Sequence, residues 1–275
     1  KILFLLLQHY PHYHIITSYS YQLKKNRMAG HSKWANIQHR KGRQDKKRGK
    51  LFTKLIREIT VAARIGGADQ DSNPKLRAAV EKAKSQSMPK DNIERAIAKG
   101  SGGDEGSNLE EVLYEGYGPG GVAILIECLT DNRNRTVAEV RHALSKYGGN
   151  LGTEGSVAYL FEQIGLISMS NVEDPDNVME IAIESGAEDI ELNDDNSIDV
   201  LTTPTSFIDV KDSLDNENAK FEISQITMKA LTEISVDTKN AESVLKLMDA
   251  LEDLDDVQSV HSNAEISADV IGALN

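Results

Sequence analysis

Gly100–Thr130 reads GSGGDEGSNLEEVLYEGYGPGGVAILIECLT, and the fold turns on how this stretch is divided. Its first eight residues, Gly100–Ser107, are small and polar, the composition of a flexible linker. Beyond them the apolar period becomes two. Val112–Tyr117 and Val122–Thr130 read as strands, and Gly118-Pro119-Gly120-Gly121 between them reads as a hairpin. The glycines of Gly116–Gly121 also suggest a phosphate-binding loop. That loop needs a Lys-Ser/Thr ending and a following helix, and this one runs into a strand, so turn chemistry accounts for it.

Before the linker the period is helical. Phe52, Leu55, Ile56, Ile59 and Ala63 make one stripe, with Lys47, Lys50, Lys54 and Arg57 off it, and Gly66-Gly67 supplies the stop. Asn73-Pro74 is an N-cap followed by a first-turn proline, which opens a second helix with Leu76, Ala79, Val80 and Ala83 inward. A third follows Pro89, with Ile93, Ala96 and Ile97 inward, and ends at Gly100. These observations predict a three-helix domain which, with a basic arm ahead of it, occupies residues 28–104.

After the hairpin, a helix is expected over Thr136–Tyr147. Val157–Phe161 and Leu166–Met169 read as a second hairpin around Gly165, followed by a helix over Asp176–Ser185 and a strand near Ser197–Leu201. A helix over Thr205–Leu214 and a strand over Lys220–Ile226 come next. Ile234–Val236 reads as extended, Ala241–Leu251 as helical and Val257–Ser262 as a last strand. The expected fold class is therefore α+β and multidomain: the three-helix domain plus two ferredoxin-like sandwiches of the split-βαβ type, one inserted in the other. The middle domain would be discontinuous, 105–156 plus 232–268, and the insert 157–231. A tandem of two sandwiches split near Gly152 is the alternative.

Charge is sorted along the same division. The chain has 31 Lys+Arg, 43 Asp+Glu and a net charge of −12, yet residues 1–100 hold 22 of the basic residues and 7 of the acids. Within His31–Arg57, ten cations face one acid, Asp45. A field of one sign concentrated in one segment calls for a polyanion, and nucleic acid is the natural one. The candidate contacts are His31, Lys33, Trp34, Asn36, His39, Arg40, Lys41, Arg43, Lys46, Lys47, Arg48, Lys50, Lys54 and Arg57. Lys and Arg neutralise phosphates, Asn and Gln hydrogen-bond, and Trp34 can stack on a base. A solvated tail with Trp34 pinned on the helical domain is the plainer reading.

A second cluster, Asn132, Arg133, Asn134 and Arg135 with Arg141, opens a helix. Two arginines there oppose the macrodipole, so a phosphate or a partner's carboxylate would favour them. Internal pairing with the chain's own acids would serve as well. The acidic runs Asp194-Asp195 and Glu252–Asp256 read as solvated ends.

A single cysteine, Cys128, excludes an internal disulfide and any cysteine-based zinc cluster, and its apolar run makes it a buried, inert thiol. No stretch approaches the ~20 apolar residues of a membrane span. His9, His12 and His14 have metal-like spacing without a fold to orient them. No nucleophile–base order or paired-acid motif stands out, so the expectation is a non-enzyme with no cofactor and no metal. Lys1–Arg27 has no acid and reads as an unstructured or non-native extension before Met28. A transit segment is the alternative, which would place the protein in the mitochondrial matrix rather than the cytoplasm. A monomer is favoured.

The wording MAGHSKWANIQHRKGRQDKKRGKLFTKLIREI, the GYGPGGVA turn, and TDNRNRT followed by GGNLG resemble the YebC family, which includes the mitochondrial translational activator of cytochrome oxidase subunit I. The resemblance runs from Met28 to about Ile266. It implies one helical and two α+β domains around an open cleft, with the basic arm and first helix facing RNA or DNA. It also implies a non-enzymatic regulator, either of transcription on DNA or of translation on ribosomal RNA at stalled ribosomes. No helix-turn-helix with a base-reading face is evident, which favours RNA and the ribosome. A protein-interaction adaptor working through the acidic domains is the other class of function.

Overall fold

The structure is a computed structural model that describes residues 44–102, 109–193, 197–216, 220–267 and 270, with backbone alone for 44–48 and 216. The first unit is helical: α1 (Gln44–Gly66), α2 (Pro74–Ser85) and α3 (Lys90–Ser101). Leu55, Ile59, Ala62 and Ala63 of α1 close a core with Leu76, Ala79, Val80 and Ala83 of α2 and Ile93 and Ala96 of α3. Asn73 does more than cap. Its Oδ1 accepts from Leu76 N at 3.1 Å while its Nδ2 donates to Ala62 O and Gly67 O, both at 2.8 Å. One buried side chain thus ends α1 and starts α2.

The second unit contains β1 (Glu110–Tyr117), β2 (Ala123–Thr130), α4 (Arg133–Lys146) and β3 (Asn150–Leu151), then, much later, β8 (Ile234–Ser235), α7 (Thr238–Glu252) and β9 (Val257–Ser262). The strands form an antiparallel sheet in the order β3-β1-β2-β9. β1 and β2 are joined through a 3₁₀ turn in which Gly120 and Gly121 have φ of 75° and 78°, a conformation that asks for glycine. Alternation along β2 sends Val122, Ile124, Ile126 and Cys128 into a core with Val140 and Leu144 of α4 and Val244, Leu247 and Leu251 of α7. The other face of β2 is also covered. Ala123 and Leu125 meet Val157 and Phe161, with Met228 and Ala230 against them. Burial on both faces explains why β2 reads as a nearly continuous apolar run.

Between β3 and β8 the chain builds a second sheet from β4 (Phe161–Met169), α5 (Pro175–Ser185), β5 (Asp189–Leu192), β6 (Ile198–Thr202), α6 (Phe207–Asn216) and β7 (Phe221–Ala230). The order is β5-β6-β4-β7, antiparallel throughout, which is the split-βαβ arrangement. The fold class is α+β, with a helical domain ahead of sheet domains. β9 pairs with β2 rather than with this second sheet, and β8 (Ile234–Ser235) forms a short parallel pair with β10 (Ala264–Glu265).

Three expectations change in detail. The middle unit keeps the β-β-α-β-α-β connectivity read from the sequence but not the split-βαβ type: its third strand is β3, not the extended stretch at Ile234–Val236, which pairs with β10 instead. β5 replaces an expected loop: Asp189-Ile190-Glu191-Leu192 is an edge strand with two acids, so its pattern is weak. Gly165 is not a hairpin but the middle of the unbroken strand β4. Glycine is there because the Phe207 ring and Thr202 Oγ1 lie on it: a Cβ at 165 would sit 2.6 Å from Phe207 Cδ2. Gly165→Ala is expected to cost about 1–3 kcal/mol through overpacking, read as a lower denaturant midpoint for the second sheet. An unchanged midpoint would mean that α6 shifts freely.

Candidate nucleic-acid interface

Of the arm predicted to meet nucleic acid, His31, Lys33, Trp34, Asn36, His39, Arg40, Lys41 and Arg43 lie outside the described residues, and Lys46, Lys47 and Arg48 are positioned by backbone in the first turns of α1. The last three candidates have a definite place. Lys50, Lys54 and Arg57 recur at helical spacing on one face of α1, and that face is turned onto the end of α7. Lys50 Nζ donates to Asp253 O at 2.8 Å, Lys54 Nζ to Glu252 O at 2.7 Å, and Arg57 Nη1 to Asp255 O at 2.7 Å. The last carbonyls of a helix have no partners of their own and carry its negative end. Here the cations of another helix serve them. Burial lowers the Lys54 ammonium below the usual lysine value, against the pull of Glu252, Asp253 and Asp255.

Arg57 also donates to Asp256 Oδ1 at 2.9 Å. Asp256 is 2% exposed, so the acidic run Glu252–Asp256 ends in a buried carboxylate rather than a solvated one. Its Oδ2 accepts from Arg135 Nη2 at 2.6 Å and Nε at 3.2 Å, from Thr136 Oγ1 at 2.8 Å and from Thr130 Oγ1 at 3.1 Å. Burial alone would push this acid up. The donors from Arg135, Thr136 and Thr130 outweigh it and hold the carboxyl below the ordinary aspartate range. The same contacts, with Asp131, raise the pKa of Arg135.

The two basic clusters of the sequence therefore meet at one acid, the first through Arg57 and the second through Arg135. Sequence reading missed Asp256 because an aspartate ending an acidic run gives no sign of burial. Its one signal is its place directly before the strand β9. Within the second cluster, Asn132 caps α4 by accepting from Arg135 N at 3.0 Å, and Arg133 Nε pairs with Glu110 at 2.8 Å on the surface. Internal pairing is thus what Arg133 and Arg135 show. Asn134 and Arg141 are exposed.

The remaining ties of the helical domain are of the same kind. Arg64 Nη2 donates to Leu109 O at 2.6 Å, Lys75 pairs with Glu111 at 2.8 Å, and Lys211 of α6 reaches Glu81 of α2 at 3.5 Å. Cys128 is buried, and desolvation pushes its thiol up to about 12, well away from thiolate chemistry. His261 lies 3.2 Å from Glu127 across neighbouring strands. Among the described residues, no group of His, Cys, Asp and Glu could hold a metal ion, and no helix is long and apolar enough to cross a membrane.

A cationic helical domain tied by charge to two acidic antiparallel α+β units is the architecture these contacts define. Residues 32–103 match the TACO1/YebC protein N-terminal domain and residues 109–264 the TACO1/YebC second and third domain. The chain belongs to the TACO1/YebC family. It is 59% identical over 244 residues to a probable transcriptional regulatory protein of Francisella tularensis subsp. tularensis (strain FSC 198), covering 89% of this chain and 98% of that one. The probable transcriptional regulatory protein of F. tularensis subsp. novicida (strain U112) is equally similar, with the same coverage. The crystal structure of a conserved hypothetical protein from Aquifex aeolicus superposes with a TM-score of 0.73 at 49% identity, covering 81% of this chain and 92% of that one.

Proposed function

We propose that this chain is a nucleic-acid-binding regulator of gene expression that acts without catalysis and works in the cytoplasm as a monomer. The observation that carries the reading is the sorted charge, with ten cations and one acid in His31–Arg57 against a chain that is acidic overall. The names of its Francisella relatives, probable transcriptional regulatory proteins, point the same way. Since Lys50, Lys54 and Arg57 are occupied on α7 and its following turn, phosphate contact falls to Lys33, Arg40, Lys41, Arg43, Lys46, Lys47 and Arg48. Trp34, Asn36, His31 and His39 supply stacking and hydrogen bonds. Such an arm reads backbone and single-stranded bases rather than groove edges, which favours ribosomal RNA, and with it the ribosome, over a DNA operator.

Neutralising about five to seven phosphates gives a log–log salt slope of about −3.5 to −6. Binding of labelled ribosomal RNA fragments and of DNA duplexes across a salt series measures it. Replacing Arg40, Lys41, Lys46, Lys47 and Arg48 with Gln is expected to abolish most of the slope. A flat salt response, or binding undiminished in that variant, would instead favour an adaptor that docks a basic protein on the acidic α+β units. Preference for DNA duplex over RNA would return the target to transcription.

A further inference from the structure

The helical domain and the second sheet are attached to the middle unit by opposite means. The second sheet is joined to it by an apolar cluster, Val157, Phe161 and Met228 against Ala123 and Leu125. The core of the helical domain, in contrast, draws only on residues 51–97, and the other apolar clusters among the described residues draw only on residues 112–270. Among the described residues, that junction is crossed by Lys50, Lys54 and Arg57 on the 252–256 segment, by Arg64 on Leu109 O, and by Lys75 on Glu111. A junction made of cations on carbonyls and carboxylates weakens with salt, whereas an apolar one does not.

The cations concerned also continue the arm. Lys50, Lys54 and Arg57 follow Lys46, Lys47 and Arg48 directly along α1, so a phosphate backbone lying on the arm comes within reach of them. We infer that this junction is an exchangeable latch: the end of α7 holds Lys50, Lys54 and Arg57 in the free protein, and a phosphodiester strand competes for them. Binding would then swing the helical domain off the middle unit and add cations to the contact. Arg57 is the strongest hold, because Asp256 gives it a buried carboxylate. Lys50, whose side chain is half exposed, is the first to exchange. This inference rests on the nucleic-acid reading of the arm.

The test uses the full chain carrying Lys99→Cys and Glu139→Cys, both exposed positions, in a Cys128→Ala background, with a donor–acceptor dye pair. Single-molecule transfer reports the junction, and anisotropy of a labelled ribosomal RNA strand reports binding in the same sample. The expected result is one short-distance population at low salt, its loss at high salt, and its loss at low salt once the strand is bound. Lys50→Gln, Lys54→Gln and Arg57→Gln together should lose the short distance at low salt without a strand, with helical circular dichroism unchanged. Binding with the short distance retained would overturn the latch and leave the nucleic-acid reading standing. Absence of any binding would overturn that reading and the exchange with it. Retention of the short distance at high salt would overturn the electrostatic attachment itself.

Discussion

Asp256→Ala is expected to destabilise the middle unit by about 3 kcal/mol, the low end of what breaking a buried ion pair costs. The low end applies because Arg135 keeps Asp131 at 2.9 Å and its side chain is 43% exposed, so water and one acid remain to it. Arg57, 25% exposed, has less to fall back on. Thr130 and Thr136, both fully buried, lose the carboxylate their hydroxyls share. Asp256→Asn keeps the volume and one acceptor, and is expected to cost about 1.5–3 kcal/mol, the worth of charge-assisted bonds made neutral. Hydrogen exchange of α4 and β2 amides is the suitable readout, since a chain of several cores does not unfold in one step.

The pH dependence provides an internal check. The folded pKa of Asp256 lies below its ordinary value of 3.8, so the unfolded chain binds the proton more readily. The stabilisation is complete above about 3.8 and is lost as pH falls through the folded pKa. The gap between wild type and Asp256→Asn should therefore be full at neutral pH and shrink on acidification. A gap that stays constant into acid, or no gap at pH 7, would show that Asp256 is not the charged centre of this junction.

The three helices, the β1–β2 hairpin and β9 were legible because each is written in local physics: period, caps and glycine stops. Of the expected linker, Gly100 and Ser101 belong to α3 and residues 103–107 lie outside the described residues. Asn73-Pro74 predicted the start of α2, and its side chain proved to be the cap. The second sheet was less legible because Gly165 carries the signature of a turn while its cause is tertiary, the close approach of Phe207. β5 was silent because an edge strand buries little. The charged junction lay deepest. Lys50, Lys54 and Arg57 look identical in sequence to phosphate-binding residues, since both roles require a cation on the outer face of α1. Only the position of α7 separates them, and their partners there are mostly backbone carbonyls, which leave no trace in a sequence.

Glu115→Ala is expected to loosen the seat of the second sheet, at a cost of about 3 kcal/mol. Glu115 is 4% exposed on β1, and its carboxylate gathers one loop: Oε1 accepts from Gly155 N at 2.6 Å, and Oε2 accepts from Val157 N at 2.6 Å and Ala158 N at 2.7 Å. Burial would raise this acid, but the amides of 155–158 more than offset it, so it stays ionised below the ordinary glutamate value. Each buried N–H left without an acceptor costs about 1–3 kcal/mol, and water entering the loop recovers part of the total. Glu115→Gln should be nearly as damaging, because whichever end faces Gly155 or Val157, one N–H meets an NH₂ group instead of an oxygen. The loop leads directly into Val157 and Phe161, the residues that pack on Ala123 and Leu125. Exchange of the 155–158 amides should therefore rise first, followed by that of the β4 amides near Phe161, while the helical domain stays protected. Protection of Gly155 and Val157 unchanged in Glu115→Ala would show that the Tyr117 hydroxyl, which donates to Ser156 O at 2.9 Å, holds the loop by itself.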